Sequence, residues 1–71
     1  MRYQITVWEL DHNDSPDNRF ECYCETYNNA LAVFDTLTRG IRGHYKAWFV
    51  DLAEEREVRY SSVTYAGNGV S

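Results

Sequence analysis

A chain of 71 residues has room for one small domain, which excludes separate catalytic and regulatory halves. Seven Lys and Arg against eleven Asp and Glu leave a net charge of −4, which argues against a phosphate-neutralising surface made by the whole domain. Leu, Ile, Val and Phe make up only 15 of the 71 residues, so the eleven aromatic residues must supply much of the buried surface.

Arg2 to Leu10 alternates, with Tyr3, Ile5 and Val7 on one side and Gln4, Thr6 and Trp8 on the other, the period-2 pattern of a half-buried strand. Asp11 to Asn18 holds three Asp, two Asn, a Ser and the only Pro, and reads as a long hairpin loop. Arg19 to Glu25 alternates again, Phe20, Cys22 and Cys24 against Glu21, Tyr23 and Glu25, which predicts a second strand antiparallel to the first. From Tyr27 to Arg39 the period lengthens, and Ala30, Leu31, Phe34, Leu37 and Ile41 form one helical stripe. Thr26 is placed to cap its start, and Gly40 to end it in the left-handed conformation. Tyr45 to Leu52 and Arg56 to Tyr65 read as a second hairpin with Glu54 and Glu55 at its turn. In the last strand the apolar phase shifts between Tyr60 and Val63, which points to a bulge at Ser61 and Ser62 or an end to the strand. Residues 66–71 read as a flexible tail to a single domain spanning 1–65.

The predicted class is α+β: a four-stranded antiparallel sheet packed on one helix, in the order β-β-α-β-β. One helix covers one sheet face, so the other is solvated or meets a partner. With Ile5, Phe20 and Cys22 toward the helix, Trp8, Leu10 and Tyr23 fall on the far side, joined by either Phe49 or the pair Trp48 and Val50. Rings flanked by the charges of Glu9, Glu21, Glu25 and Lys46 have the composition of a protein-binding patch. Trp8, Tyr23 and Trp48 are the expected anchors, Arg42 and Lys46 the orienting charges, and Glu21 and Glu25 the rim. Open edge strands offer a route to a homodimer.

Other chemistries are less well supported by the pattern. Cys22 and Cys24 are too close in sequence to close a useful disulfide loop, so free thiols and a reducing, cytoplasmic compartment are expected. The first residues lack the charged head and apolar run of a signal peptide, and no apolar stretch approaches the ~18 residues of a membrane span. Asp11 to Asp17 is oxygen-rich, but Pro16 stands where a calcium loop needs Gly. His12, Cys22, Cys24 and His44 lack zinc spacing. No nucleophile elbow, zinc-protease helix or phosphate-cradling glycine loop occurs, so neither an enzyme nor a cofactor is expected. Gly40-Ile41-Arg42-Gly43 matches the GxxG of KH domains, but the two glycines are explained by a helix end and turn. Arg39, Arg42 and Lys46 form a local basic run too small to make direct nucleic-acid binding the expected activity. The alternative function is nucleic-acid mimicry by Glu9, Asp11, Asp14, Asp17, Glu21 and Glu25, clustered around the first hairpin, or a weakly nucleic-acid-associated role.

The order of a strand, a polar hairpin, a strand running into "TYNNALAVFDTLTRG", and then "YKAWFVDLAEEREVRYSS" as a second hairpin resembles small uncharacterised accessory proteins of bacteriophages. The resemblance lies in size and element order. It implies a factor in the host cytoplasm that binds and inhibits or redirects a host protein, as inhibitors of transcription, replication or defence do, anti-CRISPR proteins among them. The resemblance assigns no role to any individual residue.

Overall fold

The computed structural model describes residues 1–65; the tail expected at 66–71 lies outside the described residues. Strands β1 (Tyr3–Leu10) and β2 (Pro16–Cys24), helix α1 (Tyr27–Gly40), and strands β3 (Tyr45–Asp51) and β4 (Arg56–Val63) follow in chain order. The strands form one antiparallel sheet in the spatial order β2-β1-β3-β4, so the first strand of each hairpin is central and the second is an edge.

The alternation seen in sequence is the alternation of burial. Tyr3, Ile5 and Val7 of β1 and Tyr45, Ala47 and Phe49 of β3 are buried beneath α1, which contributes Ala30 and Phe34. Ala30 and Ala47 are both wholly buried, and their small side chains allow the helix to lie close to the sheet. Phe49, also fully buried, is ringed by Tyr3, Tyr27 and Phe34 with centroids 5.8, 5.5 and 6.0 Å away. A chain poor in aliphatic residues thus builds its core around one phenylalanine, whose burial contributes about 2 to 3 kcal/mol. Leu31, Leu37 and Ile41 of the expected stripe pack around this core half-buried, and Val33 joins them.

The helix starts where the sequence indicates: Asn29 N–H donates to Thr26 Oγ1 at 3.2 Å, and Ala30 N–H to the Thr26 carbonyl at 3.0 Å. Its end differs from expectation. Gly40 is the last helical residue and stays outside the left-handed region, and the chain leaves through Ile41 in an extended conformation. Ile41 is drawn into that shape because its side chain packs against the core.

The strand edges are also revised. β2 begins at Pro16, inside the stretch expected to be loop, because a bulge leaves Asp17 unmatched between the pairs Glu9–Asn18 and Leu10–Pro16. The loop is therefore 11–15. In β4 the bulge falls at Val58, between the pairs Phe49–Arg59 and Val50–Glu57, and not at Ser61 and Ser62. That shift lets Val58 pack against the core while Tyr60 points to the opposite face.

Candidate functional site on the open sheet face

The side of the sheet away from α1 is built by the residues in phase with Trp8. Register places three rows across the four strands: Arg19, Trp8, Lys46 and Ser62; Glu21, Thr6, Trp48 and Tyr60; Tyr23, Gln4, Val50 and Glu57. Of the two phases open for β3, the structure has Trp48 and Val50 here and Phe49 in the core.

Trp8 and Trp48 are diagonal neighbours, packed edge to face with centroids 4.8 Å apart, and Tyr60 lies 5.7 Å beyond Trp48. Arg19 lays its guanidinium over the other side of Trp8, 5.4 Å from the ring centre. The result is a continuous ladder, Arg19, Trp8, Trp48, Tyr60, crossing all four strands. Each tryptophan is half-buried by its neighbours, whereas Tyr60 and Tyr23 are 47 % and 46 % exposed. Gln4 Nε2 donates to Tyr23 Oη at 3.3 Å, and that hydroxyl donates to Glu21 Oε1 at 2.8 Å, which ties the Tyr23 side chain to its two neighbours on this face. The carboxylate accepting its proton raises the Tyr23 pKa, with burial adding to the effect.

The charges on this face are mixed. Arg19 and Lys46 flank Trp8, and Glu21 and Glu57 lie in the other rows, so the face is balanced although the chain as a whole is acidic. Half-buried rings within a rim of both signs can meet a protein surface, and the two cations mark the Trp8 end for a carboxylate.

Several expected site residues are placed elsewhere. Glu9 shares its phase with Val7 and lies on the helix side, where Asn18 Nδ2 donates to its Oε1 at 3.1 Å. Glu25 lies past the end of β2 and outside the ladder, because the chain is already turning into α1. Arg42 is exposed in the α1–β3 loop, and Arg39 lies in the last turn of the helix, so the basic run is split and only Lys46 joins the rings. Arg19, Glu57 and Tyr60 are the residues of this face that sequence reasoning missed, Tyr60 being the one ring among them. A bulge two residues before it breaks the alternation that would have placed it with Trp48.

The acidic hairpin is organised by its own carboxylates. Asp11 Oδ1 accepts from Asn13 N–H at 2.8 Å and Ser15 N–H at 3.1 Å, and these bonds, Ser15 foremost, hold its pKa below the ordinary value. Asp14 Oδ1 accepts from Tyr65 N–H at 2.9 Å, and the Tyr65 ring meets His44 edge-on at 3.7 Å, tying the end of β4 to this loop. Cys22 and Cys24 are free thiols on the helix side of β2, and burial, with Cys24 nearby, pushes the Cys22 thiol up. Among the described residues no three His, Cys, Asp or Glu side chains gather as a metal site would require, and no helix is long and apolar enough to cross a membrane.

No protein-family model, curated protein or solved structure matches the chain. The functional reading therefore rests on this geometry.

Proposed function

We propose that the protein is a non-enzymatic binding module that covers a surface of another protein with its open sheet face. The observation that carries this reading is the ladder of three aromatic rings, extended by the Arg19 guanidinium to cross all four strands, on the side that α1 leaves uncovered. Rings held by their neighbours lose little freedom on contact, which favours aromatic anchors at interfaces. Trp8, Trp48, Tyr60 and Tyr23 form the contact, Arg19 and Lys46 engage a carboxylate of the partner, and Glu21 and Glu57 fix orientation. The reading extends to the class that the element order resembles: a phage accessory factor in the host cytoplasm that inhibits or redirects a host protein.

The test compares affinity capture from host lysate by the wild-type chain and by Lys46→Glu, Trp48→Ala and Asp17→Lys variants, at low and high salt. A protein retained at high salt by wild type and Asp17→Lys, and lost with Trp48→Ala and Lys46→Glu, supports the reading. Retention unaffected by the face variants but lost with Asp17→Lys contradicts it and shifts weight to mimicry by the acidic hairpin.

A further inference from the structure

The geometry points to a second interface, along the edge of the sheet beside the open face: the β2 edge pairs with the β2 edge of a second copy about a two-fold axis at Phe20. Both β2 and β4 are edges, but the bulge at Val58 leaves β4 regular only from Arg59 to Val63. The edge of β2 is regular from Asn18 to Cys24, its bulge at Asp17 lying near its start. Such regular edges, with backbone groups unpaired on their outer side, extend sheets between chains.

Charge selects the register. Antiparallel pairing that keeps like faces together requires a two-fold axis through one residue of each strand. An axis at Arg19 or Glu21 sets like charges directly opposite, which is destabilising. An axis at Cys22 sets Glu21 opposite Tyr23 and pairs no opposite charges within β2. An axis at Phe20 pairs the regular stretch from Asn18 to Cys22 with itself and sets Arg19 of each copy opposite Glu21 of the other, twice. Both charges lie on the open face, and Arg19 is already held there against Trp8. On the helix side Phe20, 48 % exposed, borders a groove of about 210 Å³ lined by Val7, Leu37 and Ile41, and across this axis the two Phe20 rings face each other at its mouth. The product is one continuous sheet with both helices on one side and two aromatic ladders side by side on the other.

Sedimentation equilibrium on the full chain tests this, with far-UV circular dichroism to establish that each variant is folded. Wild type is expected to dimerise, and Arg19→Glu and Glu21→Arg each to weaken the dimer by about tenfold or more, since each sets like charges opposite one another. The double swap, Arg19→Glu with Glu21→Arg, is expected to restore it. A wild-type monomer at every concentration, a dimer indifferent to the single reversals, or a double swap as weak as the singles overturns the proposal.

Discussion

Trp8 and Trp48 stand on neighbouring central strands but not opposite one another: Trp8 faces Lys46 and Trp48 faces Thr6, and the two indoles meet across the diagonal at 4.8 Å. This offset opens each indole to a second neighbour, Arg19 for Trp8 and Tyr60 for Trp48. The face is therefore a thin second cluster, half-covered by itself.

That half-cover sets the cost of removing a ring. Trp48→Ala is expected to lower stability by about 1 to 2 kcal/mol, well short of the ~3 to 5 kcal/mol of emptying a buried aromatic site, and to leave a folded domain. Phe49→Ala, at the centre of the core, carries the full penalty, a large share of the ~4 to 10 kcal/mol available to a domain this size. Chemical denaturation of both variants checks the order, and equal losses would place Trp48 in the core.

Acid sensitivity follows from Asp51, the buried charge of the sheet. Arg2 clasps it with Nε to Oδ1 at 3.2 Å and Nη2 to Oδ2 at 3.1 Å, while the Ala53 and Glu54 N–H groups donate to Oδ1. The Arg2 hydrogen bond, followed by those backbone donors, holds its pKa below 3.8 against the opposing effect of burial. A carboxylate depressed on folding stabilises above its unfolded pKa, and the gain is lost as pH falls through the folded value. Stability is thus expected to fall below about pH 4, less steeply in Asp51→Asn, with Asp11 supplying a residual slope of the same sign. Thermal unfolding midpoints from pH 7 downward measure it; parallel curves for the two proteins would contradict this role.

Much of this was legible in the sequence, and the exceptions share a cause. Uninterrupted alternation at Tyr3, Ile5 and Val7 and the helical stripe from Ala30 to Leu37 led directly to the sheet, the helix and the covered face, because one period held across each whole element. Reading failed where the period breaks. The bulges at Asp17 and Val58 moved the start of β2 and hid Tyr60, since a bulge depends on the partner strand, which local sequence does not specify; Glu9 was legible, because it continues the alternation of Tyr3, Ile5 and Val7. Asp51 escaped notice because its partner, Arg2, is 49 residues away.

Glu55 adopts φ 53° at the β3–β4 turn, a left-handed conformation that costs a side chain about 1 to 2 kcal/mol. Glu55→Gly removes that strain at the smaller cost of a more flexible unfolded chain, so a net gain of about 0.5 to 1 kcal/mol is expected in urea denaturation. Asp14, at φ 62°, differs because its carboxylate accepts from Tyr65 N–H; Asp14→Gly loses that bond and is expected to give no such gain.

The open face as a binding surface is tested most directly by nuclear magnetic resonance of the ¹⁵N-labelled protein, titrated with the partner retained at high salt. The indole N–H signals of Trp8 and Trp48 report on the ladder, and the amides of 11–15 on the acidic loop. Both indole signals shifting together at low partner ratios, with the loop amides unmoved, is the result this account predicts. Loop amides that shift while both indoles stay in place would contradict it.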